Sequence, residues 1–313
     1  MVEAGLIAAI LTIIMIGSYY VPFLSTVFYI IIPMPVIVLM LRNTMVNAIG
    51  ATVVASILTA ITVMPIVAIS NFALAIFVGL PLGWSFKHKY STLKSIGIGG
   101  VGALIAHIII FATIQIFMGV SPSDSLEEMF NLSSSISADM SNLFGNLNNS
   151  ALNESLSETQ AVLDSMVYLI KLILPSAVII FSMVYSGLNC LFARPILKRL
   201  GSQVVEMGTF ENFRYPRHMA FGSGLMLVLA YLVGYFGIVD PELVFSNFMY
   251  LFLMVFSVQG LALVYYIFRK FMPKGFAVAL IAMLMLSQFL YYISLMGFID
   301  VIFDIRTRAM QKR

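Results

Sequence analysis

The chain has little charge and almost no cysteine. Charged residues make up 10% of its 313 positions, against about a quarter in soluble domains. With a hydrophobic share of 61% and a mean hydropathy of +1.01, this scarcity excludes a soluble globular fold. The single cysteine, Cys190, cannot form an intrachain disulfide, and it lies inside an apolar run where a small packing residue fits. The chain also lacks the signatures of catalysis: no H-E-x-x-H, no G-x-S-x-G, no Walker lysine loop, and no pair of carboxylates inside the apolar runs. Neither an enzyme nor a cofactor is expected. A net charge of +3 is too weak for a nucleic-acid footprint.

What is present is apolar length. Runs fall at about 4–20, 24–41, 46–64, 67–85, 95–118, 165–192, 219–239, 244–268 and 276–298. Each is near the roughly 20 residues a helix needs to cross about 30 Å of hydrocarbon. Continuous rather than alternating apolarity favours helices over a β-barrel. The expected fold is an all-α, polytopic integral membrane protein with about nine membrane helices. The start, MVEAGLIAAIL, has no basic leader region and reads as a retained first helix. Basic residues cluster at Arg42, at Lys87, Lys89 and Lys94, across Arg194 to Arg217, and at Arg269, Lys270 and Lys274. These are alternate connections, as the positive-inside rule requires if all face the cytoplasm. The connection 119–164 has seven acids and no Lys or Arg, so it is placed outside and the N-terminus inside. A plasma membrane is the expected location.

The outer loop 119–164 belongs to a six-helix block, 1–193; a basic connection, 194–218, leads to a three-helix block, 219–313. The loop is rich in Ser and Asn, and its Asn-x-Ser matches at Asn131, Asn148 and Asn153 are the kind that arise by chance in such composition. The connection offers Arg194, Lys198, Arg199, Arg214 and Arg217, either as a solvated topology signal or as a surface for cytoplasmic partners or anionic headgroups. From Phe298 on, polar residues recur at helical spacing, which predicts an amphipathic extension at an interface. A single crossing by 276–298 would leave its basic tail outside, against the charge rule.

GIGGVG at 97–102 has the letters of a dinucleotide fingerprint, but no strand precedes it and no acid follows about 20 residues on. Its glycines fit close helix packing instead. Polar residues in apolar runs carry the functional signal, since each is costly without a partner. Asn71, His107, Gln115 and Lys171 fall on three successive helices, His107 about mid-depth and the other three in the outer half, and predict a ligand pocket open to the outside. The alternative is that Lys171 snorkels while Asn71 and Gln115 cap backbone carbonyls. Gln259 and Gln288 predict an interhelical hydrogen bond, and Asp300 and Asp304 predict interfacial ion pairs with Arg306 and Arg308. On the first helix, Ala4, Gly5, Ala8 and Ala9 form a smooth stripe for a close-packed helix of this chain or of a partner.

IIPMPVIVLMLRN, residues 31–43, is apolar enough for a bilayer yet holds Pro33 and Pro35. Each proline frees a carbonyl in the preceding turn, useful beside a binding site and costly against lipid. With the stripe on helix one, the proline-bearing second helix ending in Arg42, and GLPLGW at 79–84, the first block resembles the S-components of energy-coupling-factor vitamin transporters. That resemblance implies a six-helix solute-binding core, and a membrane coupling protein packing on the stripe. Over nearly its full length, with ARPILKRLG and GFIDVIFDIR, the chain resembles the YybS family of bacterial membrane proteins, which brings no established activity. Two functions follow as expectations. One is binding or transport of a small solute; the other is a non-transporting scaffold or regulator that docks cytoplasmic partners.

Overall fold

The computed structural model describes residues 2–119, 121, 124–125, 127–128, 130–132, 135, 150–202, 205, 208–236, 240–285, 287 and 289–306, with the backbone alone of 150–157 and 160. Asp139, Asn148, Gln288, Arg308 and the rest of the tail from 307 lie outside the described residues. All regular structure among the described residues is helical. Among the described residues eight helices are long and apolar enough to span a membrane, and a bent pair at the C-terminal end raises the number to nine if it forms one span.

Contacts divide the chain into two compact units, Met1–Lys171 with Val178–Glu206, and Leu172–Ala177 with Met207–Arg313. The first unit holds α1 (Val2–Tyr20), α2 (Ser25–Ile31), α3 (Pro33–Arg42), α4 (Met45–Thr62), α5 (Pro65–Lys87), α6 (Thr92–Met118) and most of α7 (Ser150–Arg199). α2 and α3 form one span from Pro22 to Arg42, interrupted only at Ile32, which keeps helical angles. Glu3 and Arg42 pair, so the start of α1 and the end of α3 share one end of the unit.

Glycine makes this packing close. A Cβ on Gly79 would meet Val36 at 2.7 Å, and one on Gly83 would meet Met40 at 2.7 Å, so α5 lies directly on α3. One on Gly102 would collide with the Phe77 carbonyl, and one on Gly99 with Ser186 and Leu82. Gly99, Gly100 and Gly102 of GIGGVG are contact points for α5 and α7, while a Cβ on Gly97 would meet nothing within 4 Å. The stripe on α1 divides, because neighbouring residues point about 100° apart around a helix. Ala4 and Ala8 turn to the core, while Gly5 and Ala9 stay exposed.

The second unit holds α8 (Arg217–Tyr235), α9 (Pro241–Phe268), α10 (Lys274–Met285) and α11 (Leu290–Phe303). It also includes residues 172–177 of α7. There Pro175 interrupts the hydrogen-bond ladder. The Asn247 amide inserts, accepting from the Ser176 N–H at 2.8 Å and donating to the Leu172 carbonyl at 2.7 Å. α11 crosses α9 at Gly260 and Gly297, where any Cβ would strike backbone. The last apolar run is not a straight helix: α10 and α11 are bent by 112°. Ser287 sits at the break.

Candidate functional site

In the first unit the prolines build a site. Pro33 has no N–H to give the carbonyl four residues before it, so the Tyr29 carbonyl is free. The Tyr185 hydroxyl of α7 donates to that carbonyl at 2.7 Å. The Tyr29 hydroxyl lies 2.7 Å from His107 Nε2, and His107 Nδ1 lies 3.0 Å from Ser182 Oγ. Ser182 spends its own proton on the Val178 carbonyl at 2.8 Å. Its oxygen must therefore accept from Nδ1–H, which leaves Nε2 to accept from Tyr29. The result is a neutral imidazole with both nitrogens satisfied, 4% exposed and edged by Phe181 and Tyr185. Four groups on α2, α6 and α7 thus anchor the interrupted helix without any charge.

Another face of that helix borders a cleft of about 440 Å³. Val27, Ile30 and Met34 face Phe192 and Ile196 of α7, and Arg199 supplies the one charged group of the lining. An apolar wall with a single guanidinium suits an amphiphile with an apolar body and an anionic end.

The four residues expected to share an outward pocket have separate surroundings. Asn71 donates to Ser18 Oγ at 3.2 Å and to the Met15 carbonyl at 3.4 Å, tying α5 to α1. His107 belongs to the tyrosine–serine network. Gln115 is exposed, one turn before Gly119, whose φ of 71° ends α6. Lys171 pairs with Glu127 of the loop at 2.7 Å, in a smaller cleft with Asn131, Asp164 and Tyr168. Two carboxylates there outweigh its one ammonium, so the cleft does not attract an anion.

The basic connection is not one surface either. α7 continues through residues 194–199, and Arg194 is 5% exposed, turned inward to give a 2.7 Å hydrogen bond to Thr92 Oγ1. Lys198 and Arg199 are exposed at the end of α7, and Arg217 opens α8. Arg214 pairs with Asp304 at 2.7 Å.

Asp300 and Arg306 are a buried pair rather than an interfacial one, at 3% and 1% exposure and 2.7 Å. The Arg306 guanidinium also donates to the Glu211 carbonyl at 2.7 Å and the Phe213 carbonyl at 2.9 Å. Gln259 donates to Asp300 at 2.6 Å and accepts from the Tyr215 N–H at 3.1 Å. Gln259 thus holds Asp300 and the connection. The network places Arg306, just past the end of α11, beside residues 211–215 of the connection. Burial of Tyr215, which lies in the connection, pushes its phenol up to about 12.

Sequence reasoning missed Tyr29, Ser182 and Tyr185. Their signal was present: Tyr29 stands four residues before Pro33, and the hydroxyls lie within apolar runs that supply few other partners. Among the described residues, no group of three or more His, Cys, Asp or Glu could hold a metal ion.

Helical spans packed around an apolar core define a multi-pass, all-α membrane protein. The chain belongs to the family described as predicted membrane protein (DUF2232), whose profile matches residues 9–301. It is 24% identical over 318 residues to the uncharacterized protein YybS of Bacillus subtilis (strain 168), covering 99% of this chain and 98% of that one. No solved structure matches the chain, so the likeness of the first block to S-components rests on its residues alone.

Proposed function

We propose that the first unit is a binding unit for a small amphiphile, and that the protein serves binding or transport rather than catalysis. The carrying observation is the 440 Å³ cleft between the interrupted second helix and the end of α7, apolar but for Arg199. By the distribution of Lys and Arg, the Arg199 end faces the cytoplasm in a bacterial plasma membrane, with the N-terminus on the same side. The exposed Gly5 and Ala9 leave a smooth strip of α1 for a membrane coupling partner of the energy-coupling-factor type. A second proposal is a non-transporting scaffold, supported by the way Arg306 and Gln259 pin residues 211–215 as a fixed surface. Thermal shifts in nanodiscs separate the two. Alkyl carboxylates of graded length should stabilise the protein where the matching alcohols do not, by about 2.7 kcal/mol at 100 times Kd. Arg199→Gln should remove that stabilisation. No response from any carboxylate, or one indifferent to Arg199→Gln, leaves the scaffold as the better account.

A further inference from the structure

Six buried side-chain polar atoms among the described residues have no hydrogen-bond partner. Four of them lie along the seam between the start of α6 and the end of α7: Ser95 Oγ, Asn189 Oδ1, Arg194 Nε and Arg194 Nη2. The two helices run antiparallel here, since Thr92 meets Arg194 and the Ile96 carbonyl accepts from Ser186 at 2.9 Å. That register puts Ser95 level with Asn189 and Cys190, and the Arg194 guanidinium lies beside the Cys190 sulfur. Orphaned atoms of this kind are rare in native interiors. Concentrating them around a guanidinium that pairs with no acid among the described residues is costlier still.

The same place is the N-terminus of a helix of 27 residues. Its cap residue, Ser91, makes no side-chain cap hydrogen bond, and no acid occupies the first turn. The first backbone N–H groups and the positive end of the helix dipole are therefore left without a side-chain anion. Lys94 of the same turn lies over the Tyr90 ring at 3.9 Å, adding positive potential. Phe86 packs against Arg194, with the guanidinium carbon 5.7 Å from the ring centroid, and shields the charge from water. Two independent features thus ask for one thing, a compact anion with several acceptor oxygens.

We propose that the first turn of α6 and Arg194 form a binding site for a phosphate group. Arg194 offers Nε and Nη2 as a fork for two oxygens, the Ser95 hydroxyl offers a third donor, and the helix start supplies N–H groups. Asn189 Oδ1, the one acceptor of the four, suits a phosphate that keeps one P–OH to donate. Inorganic phosphate or a phosphomonoester meets that requirement, and a lipid phosphodiester shares the rest of the chemistry. The site is independent of the Arg199 cleft, since none of its residues lines that cleft.

The test uses the purified full-length chain, with thermal unfolding read in two arms. In detergent, inorganic phosphate should raise Tm above a chloride buffer of equal ionic strength. Arg194→Gln should weaken that response by roughly tenfold or more, the scale of one charge-assisted hydrogen bond, while Arg194→Lys keeps part of it. In phosphate-free nanodiscs, stabilisation by phosphatidylglycerol over phosphatidylcholine that vanishes in Arg194→Gln would assign the phosphate to a lipid headgroup. Without any phosphate, Arg194→Gln should not lower Tm, because it removes an unpaired buried cation. Stabilisation by neither source, or an equal loss of Tm with and without phosphate, overturns the site.

Discussion

The two units solve the same difficulty, polar groups in an apolar chain, by different chemistry. In the first unit the buried network is neutral. Tyr29, His107, Ser182 and Tyr185 pass hydrogen bonds to one another and to two backbone carbonyls, with no charged side chain in the network. In the second unit the centre is an ion pair, Asp300 with Arg306, and its spare donors hold the backbone of a connection. A neutral network costs little to desolvate, so it can sit deep among helices and fix a proline-broken segment. An ion pair costs several kcal/mol to bury, and is kept where it also organises a loop. The first unit thus fixes a broken helix with neutral groups, and the second fixes its connection with an ion pair.

The largest effect should come from splitting the ion pair. Arg306→Met leaves the Asp300 carboxylate buried and alone, and should destabilise the second unit by about 3–5 kcal/mol. Asp300→Leu combined with Arg306→Met should recover most of that loss, since both charges then vanish together. Limited proteolysis at 209–216 gives an independent readout, because the single change frees the Glu211 and Phe213 carbonyls. If Arg306→Met alone unfolds like wild type, the pair organises nothing and the contrast between the units disappears.

Breaking the neutral network should cost less. Tyr29→Phe removes one donor and leaves His107 Nε2 unpaired in an apolar setting, worth about 1–3 kcal/mol. His107→Phe with Tyr29→Phe should be less damaging than the sum of the two single changes, because neither partner is then left orphaned. Additive losses in that double-mutant cycle would mean the two side chains do not interact, whatever their 2.7 Å separation.

Much of the fold was legible, and the failures share a cause. Eight of the nine apolar runs became spans within a few residues, because continuous apolarity over about 20 residues has few other uses. The ninth bent, since the polar Ser287 and Gln288 interrupt a run that hydropathy averaging reads through. From Phe298 to Asp304 the helical spacing holds, with Asp300 turned to Gln259 and Arg306 and Asp304 paired with Arg214, while the tail beyond Arg306 lies outside the described residues. Arg194 was counted with its neighbours in sequence, yet α7 runs on without a break and turns that one residue inward. Polar residues could be found from sequence but not grouped. Asn71 and His107 each found a partner on a helix far away in sequence, and periodicity within one helix carries no information about which neighbour it faces.

The smallest effect should come from Lys171, the residue whose position in the sequence looked most consequential. It is the one cation well inside an apolar run of the first block, so sequence alone made it a pocket residue or a snorkelling one. The structure pairs it with Glu127 at side-chain exposures of 35% and 57%. At that exposure water screens most of the attraction, and such pairs contribute about 0–1 kcal/mol. Lys171→Met should shift stability by no more than about 0.5 kcal/mol, and Glu127→Gln should match it, because either change dissolves the same weak pair. Carboxylate binding at the Arg199 cleft should be untouched by both, since Lys171 lines a different cleft. Should Lys171→Met abolish the carboxylate response while Arg199→Gln leaves it whole, the solute site lies at the acidic-loop end, and the outward pocket read from the sequence is restored.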